Sequence, residues 1–536
     1  MIRNIDYSGY LYLAVFLFAL LTFALTKRHA PDTQPIRFPD EQVRFDLLSG
    51  PASASARPAD HLHIVIPEKD SVTVTQSRHR IAANTHPANR AFINDSEVVV
   101  YPSGAFAGII ELEAGQSVSE IRVITPDGDT LRQTLHFLYE ESEPARLREV
   151  WQPFDDDKIA EVQGNHPFFT LGTESDRLGP LPLSHLEAGI LVKLTGRKGS
   201  FYRVHLSDNR ETWLPKRFAR ILPGQRELPR GNSGSLSITE SSQNDIISFT
   251  LGARLPYIST MMTDPNIIEV EVFGSKAETN RVFRHADAHG IRDIELTQKG
   301  KDHLLLRIIL DYEIHWGYHI NYGIGNTLRI HVRRPPGPIV PDHALAGRII
   351  AIDPGHGGAN SGALGTSGVL EKEITLDIAK RVQKKLQKEG ARVMMTRNRD
   401  ETVYPSERIR TVVNSDAEVL VSLHANSIGN GIDPLAISGT STYYRHNAFR
   451  PLAHIMHHSM RELPLNDFGL IGNFNFVLNA RTELPNVLVE TAFLSHPEDE
   501  IKLLDPEFRE EIAEKVKNAL HRFYLQFGRS ATNSPA

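Results

Sequence analysis

The periodicity of this chain changes once, at the proline-rich break Pro335-Pro-Gly-Pro338. Before the break, short apolar runs alternate with turn residues. Glu97-Val-Val-Val-Tyr101 and Ser119-Glu-Ile-Arg-Val-Ile124 are such runs, and Pro102-Ser-Gly104 and Asp127-Gly128 are such turns. A period of two marks half-buried strands. After the break, strands alternate with helical stripes. Arg348-Ile-Ile-Ala-Ile-Asp353 reads as a buried strand, and Ile374, Ile378, Val382 and Leu386 mark one face of a helix from Lys372 to Glu389. Further strands are predicted over 392–396, 418–423 and 488–493, and helices over 450–462 and 506–527. That alternation predicts an α/β domain over 346–528 with a mostly parallel sheet. The chain is therefore expected to be multidomain, with several small all-β domains ahead of the α/β domain.

A length of 536 residues exceeds one ordinary core. There are no cysteines, which excludes disulfides and thiolate metal sites, so any zinc must be held by His, Asp or Glu. The net charge is −6 and no basic tract is present, so no nucleic-acid partner is expected. Residues 8–26 carry no charge and are nearly all apolar. At ~1.5 Å per residue this segment spans a hydrocarbon core, so it predicts an N-terminal transmembrane helix, as anchor or signal segment. Lys27 and Arg28 outweigh Arg3, which by the positive-inside rule places the bulk of the chain in the cytoplasm. Residues 29–60 hold five prolines and read as a linker.

Three segments of the α/β domain put polar residues where such sheets hold their sites. His356 follows the strand ending at Asp353, His424 ends the strand over 418–423, and Glu490 lies in the strand over 488–493. The C-terminal ends of parallel strands form the ligand crevice. Glu371 precedes the first helix and reaches the same crevice across the glycine-rich stretch 355–368. Two His and one carboxylate make a catalytic zinc set with an open position for water. Zinc brings the pKa of that water toward ~7, and Glu490 is placed to move its proton. His454 and His458, an i, i+4 pair on the helix over 450–462, are a second candidate pair, and any one of the 24 histidines also has a purely structural reading.

Ile349-Ile-Ala-Ile-Asp-Pro-Gly-His-Gly-Gly358, Gly362-Ala-Leu-Gly365, Glu371-Lys372, Met395-Thr-Arg397, Ser422-Leu-His-Ala-Asn426 and Pro485-Asn-Val-Leu-Val-Glu-Thr-Ala-Phe-Leu-Ser495 together resemble the type 3 N-acetylmuramoyl-L-alanine amidases. The resemblance implies an enzyme that cuts the amide between N-acetylmuramic acid and L-alanine in peptidoglycan. It implies Zn2+ held by His356, Glu371 and His424, with Glu490 catalytic. Asn426 and Arg481 are candidates for substrate binding, with surface pairing as the alternative for Arg481. Asn360-Ser361 departs from the family's Asp-Pro, and Ala492 from its Gly; neither is expected to touch a ligand. Some periplasmic members carry an inhibitory helix after the second His motif. Here Ser427–Gly439 reads as a short loop, so control is expected from elsewhere, including regulatory protein partners. A peptidoglycan substrate places the protein on the extracytoplasmic side of a bacterial envelope, against the flanking charges. A non-catalytic wall-binding or activator protein and a zinc peptidase acting on stem peptides are the alternatives.

Upstream, 61–145 is expected to be a β-sandwich, and Asn84–Pro87 through Tyr101–Phe106 resembles bacterial immunoglobulin-like modules. Gly189–Leu194, Gly199–Leu206 and Trp213-Leu-Pro215 resemble SH3-like modules over 165–222, with Tyr202 and Trp213 either core or wall-peptide contacts. The β-rich stretch 233–335 is similar to the targeting domains found beside periplasmic amidases.

Overall fold

The computed structural model describes residues 61–141, 150–173, 179–224 and 227–528. The apolar segment 8–26 and the linker 29–60 lie outside them. Among the described residues no helix is long and apolar enough to cross a membrane.

Residues 62–139 form two sheets. One orders Leu62–Ile66, Arg78–Thr85 and Ala105–Glu111, and the other has five strands with Gly115–Ile124 at its centre. Ile81 and Phe106 of the first meet Ile121, Val123 and Phe137 of the second in one apolar core. Gly115–Ile124 buries alternate residues toward that core, as period two requires.

A seven-stranded sheet follows, and it begins earlier than the boundary at 165 expected from sequence. Gln152–Val162 pairs with both Leu191–Lys198 and Ala219–Ile221. The run Asp155-Asp-Asp-Lys158 conceals this strand, because its four side chains are all exposed and interrupt the alternation. Residues 231–333 then build a five-stranded and a four-stranded sheet. Their interior is continuous with that of the preceding sheet: Val192, Leu194, Val204 and Leu214 join Phe249, Val270, Leu306 and Ile330 in one cluster. The two regions read from sequence as separate modules share a core.

The C-terminal domain runs β1 (Ile349–Pro354), α1 (Glu371–Lys388), β2 (Arg392–Met395), α2 (Pro405–Val413), β3 (Val419–Asn426), β4 (Thr440–Tyr443), α3 (Arg450–Met460), β5 (Asp467–Ile471), β6 (Asn486–Phe493), α4 (Pro497–Leu504) and α5 (Pro506–Phe527). The strand order is β2-β1-β3-β6-β4-β5. The first four are parallel, and β4 runs antiparallel to β6. Helices α1, α3 and α5 cover one face. Ile409 and Val412 of α2, with Leu478 and Leu484, cover the other. Burial on both faces explains why β3 and β6 read as unbroken apolar runs. Pro506 and the N-cap Asp505, which accepts the Glu507 N–H, start α5. Trp316 of the preceding sheets packs against Phe523 and Tyr524, with ring centroids 5.2 and 6.0 Å away, so α5 seals the domain to the unit before it.

The N-terminal sandwich also docks on this domain. Val65, Ile66 and Ala82 cluster with Leu364. The Arg80 N–H donates to the Asn430 carbonyl at 2.5 Å. Glu500 of α4 is fully buried nearby and accepts from the Ser367 N–H and hydroxyl, each at 2.9 Å. Burial pushes the Glu500 carboxyl up to about 7, against the pull of Ser367 and the buried Arg80. A carboxyl raised in the folded state favours folding below its unfolded pKa, and that contribution is lost as pH rises through the folded one. Stability of the full chain is therefore expected to fall between about pH 4.5 and 7, by up to about 3 kcal/mol from this group. Urea denaturation across that range checks it. Glu500→Gln is expected to flatten the slope, and an unchanged slope would count against this assignment.

Candidate metal centre

β1, β3 and β6 end at one edge of the sheet, and the register sets His424 beside Glu490. His356 lies two residues past β1, with φ at 61°. The chain there passes close to the other side chains, and two glycines permit it. A Cβ on Gly355 would stand 2.4 Å from His424 Cε1, and one on Gly362 would stand 2.4 Å from Glu371 Oε2. Glu371 opens α1. Its carboxylate accepts the N–H groups of Ala363 at 2.8 Å and Ala425 at 3.1 Å. His356 Nε2 lies 3.0 Å from one carboxylate oxygen, and His424 Nδ1 lies 2.9 Å from the other. One ligand atom from each of the three residues falls within 4.8 Å of the other two.

The charges follow from this packing. Burial alone would raise the Glu371 carboxyl, but the imidazoles of His356 and His424 hold it well below the usual carboxylate range. His424 is lowered by burial. Glu490 is 1% exposed, and burial together with the Glu371 charge pushes it well above the carboxylate range. Positive charge brought among the three ligands would pull it back down. His424 Nε2 and Glu490 Oε2 are buried with no hydrogen-bond partner in the protein. Two imidazoles and a carboxylate converging beside such atoms are a donor set that fits zinc. Phe476, whose ring centroid is 5.6 Å from that of His424, walls the centre on one side.

Asn360 corrects the expectation that the Asn360-Ser361 departure touches no ligand. Paired hydrogen bonds between Gly357 and Asn360 fold the loop back on itself. Asn360 Oδ1 then lies 3.0 Å from His356 Nδ1 and also accepts the Gly362 N–H at 3.2 Å. An oxygen that already accepts one N–H accepts from the imidazole as well, so Nδ1 carries a proton and Nε2, which faces Glu371, is the nitrogen turned toward the candidate metal position. Two more residues receive no role from the sequence: Arg397, which appears only within the Met395-Thr-Arg397 motif, and Arg408. Arg397 and Arg408 donate to the carbonyls of residues 354–356 from behind β1. Only contacts that turns bring together reveal them.

Asn426 and Arg481 are not drawn into this cluster. Asn426 is buried, accepts the Ser427 N–H at 2.8 Å and hydrogen-bonds the Tyr443 hydroxyl, so its amide is engaged within the protein. Arg481 precedes the opposite, N-terminal end of β6. It pairs with Glu483 and meets His185 of the upstream unit, and it lines a cleft of about 670 Å3 between the modules. His454 and His458 are exposed on α3 and lie outside the metal cluster. Residues 427–439 form turns and no helix.

Residues 350–522 match the N-acetylmuramoyl-L-alanine amidase family. The chain is 32% identical over 209 residues to the N-acetylmuramoyl-L-alanine amidase LytC of Bacillus subtilis, covering 38% of this chain and 40% of LytC. It is 31% identical over 187 residues to the uncharacterized protein YqiI of the same organism, covering 34% of this chain and 87% of YqiI. Among solved structures, the catalytic domain of the amidase CwlV from Bacillus (Paenibacillus) polymyxa var. colistinus is 31% identical. That alignment covers 33% of this chain and 97% of CwlV's domain, with a TM-score of 0.31. The chain thus spans two fifths of LytC and most of YqiI, and the family match at 350–522 falls within its C-terminal domain. Through that domain the chain belongs to the N-acetylmuramoyl-L-alanine amidase family of enzymes.

Proposed function

We propose that this chain hydrolyses the amide between N-acetylmuramic acid and L-alanine in peptidoglycan, with zinc held by His356, Glu371 and His424. The observation that carries the reading is the buried His-Glu-His cluster with the unpartnered Glu490 carboxyl oxygen beside it. Zinc at such a site supplies Lewis acidity, which polarises a carbonyl and brings the pKa of water toward ~7. The protein's own groups do the rest. Glu371 keeps its charge, Asn360 orients the His356 ring, and Phe476 narrows access to the centre. Glu490 takes a proton from the attacking water and returns it to the L-alanine nitrogen as that bond breaks. A peptidoglycan substrate puts the reaction on the extracytoplasmic face of the envelope. The apolar segment 8–26 would tether the chain to the membrane, and the β modules would hold the site at the wall.

Glu490→Gln is expected to retain zinc and to lose roughly 10²–10⁴-fold in cleavage of muramoyl peptides. Mass spectrometry of digested sacculi, with and without chelator, is the measurement. Release of glycan strands free of peptide supports the amidase, whereas trimmed peptides still attached to sugar point to a peptidase. A chain that neither binds zinc nor releases anything is the wall-binding alternative. Separately, Asn360→Ala is expected to weaken zinc on the order of tenfold by chelator competition, because His356 loses the acceptor that fixes its tautomer. Asn360→Asp, which keeps an acceptor, should not weaken it.

A further inference from the structure

His356 holds a backbone conformation that a side-chain-bearing residue disfavours, with φ at 61°. Such a conformation persists where the surroundings over-determine it. Here two buried guanidiniums do so. Arg408 Nη1 donates to the Pro354 carbonyl at 2.6 Å, and its Nη2 donates to the His356 carbonyl. Its Nε donates to the Val403 carbonyl at 3.0 Å. Arg397 takes the Pro354 carbonyl at 3.1 Å and the Gly355 carbonyl at 2.8 Å. Three consecutive carbonyls thus point at arginines rather than at solvent. Arg408 is itself fixed from behind. Asp353 accepts from it at 2.7 Å, and that carboxylate is aimed by the hydroxyls of Thr396 at 2.5 Å and Ser422 at 2.6 Å. The helix start serves the same end: the Tyr404 N–H donates to Glu407 at 3.1 Å and α2 begins at Pro405, which sets Arg408 in the first turns, facing β1.

We propose that Arg408 is a positioning residue for the metal centre, holding His356 in the left-handed conformation that aims its imidazole at Glu371 and His424. The inference rests on the zinc reading above. Arg408 makes this contact through the backbone carbonyl of His356 and needs none with the imidazole. Its planar fork is what spans the Asp353 carboxylate and two carbonyls, and a lysine, with one point of charge, keeps the pairing to Asp353 but cannot span all three.

The test uses the full chain at neutral pH. Zinc affinity is measured by competition with a chromogenic chelator, and metal-free stability by denaturation. Arg408→Lys is expected to weaken zinc about tenfold or more, equivalent to about 1.4 kcal/mol. Val516→Ala, in the buried core of α5, is the control: it removes apolar packing without touching Arg408, Asp353 or the three carbonyls, so it should lower metal-free stability yet leave zinc affinity within about twofold. If Arg408→Lys does not fold, Arg408→Gln, which keeps a donor near the His356 carbonyl, is read the same way. The inference is overturned if zinc affinity is unchanged in the Arg408 variant, if Val516→Ala weakens zinc equally, or if neither Arg408 variant folds without metal. Wild-type protein that binds no zinc overturns the metal reading itself and this inference with it. Wild-type binding beside an unaffected Arg408 variant overturns the inference alone.

Discussion

A buried negative charge on Glu371 organises the C-terminal domain. An ionised carboxylate taken out of water costs several kcal/mol or more unless it is fully paired. Here every direction of the carboxylate is answered: two backbone N–H groups, from Ala363 and Ala425, and two imidazoles. Those four donors come from two segments far apart in sequence, the loop after β1 and the end of β3. Meeting them fixes the glycine-rich turn before α1, the end of β3 and the first turn of α1 at the same time. The unpartnered position of Glu490 is the counterpart of that arrangement. With the Glu371 charge so near, a second buried carboxyl stays protonated until positive charge enters.

Behind the site lies a second electrostatic layer, Asp353 with Arg408 and the hydroxyls of Thr396 and Ser422. It uses the β1 strand end twice, once for the Asp353 side chain and once for the carbonyls that follow. The sheet therefore does more than bring strand ends together. Its last few residues are clamped, so the loop beyond β1 departs in one direction only.

The four central residues were legible because each sits within or just after a strand, or opens a helix, that periodicity marks strongly. His356, His424 and Glu490 ride on runs such as Ile349–Asp353 and Leu488–Phe493, and parallel strands deliver their ends to one edge. What stayed hidden depends on turns and on short elements. Asn360 reaches His356 only because the loop doubles back over four residues. β4 and β5 are four and five residues long, too short for a period to declare itself. The strand Gln152–Val162 was masked by its own charges. The core shared between residues 160 and 332 was also invisible, since alternation shows that a face is buried but not what it is buried against. Arg481 has two readings from sequence, substrate contact or pairing with an acid, and in the fold it pairs with Glu483 beside His185.

That shared core bears on mechanics. Apolar packing runs unbroken from the sheet that starts at Gln152 through the paired sheets ending at Arg333, and Trp316, from the loop before Tyr318, sits in the separate core of the C-terminal domain against α5. A tether ordinarily gives a catalytic head a radius of search set by flexible joints. At this junction the described chain has a packed aromatic contact where a joint would be. Rotating one unit against the other would have to pull Trp316 out of that packing and expose a large buried aromatic side chain.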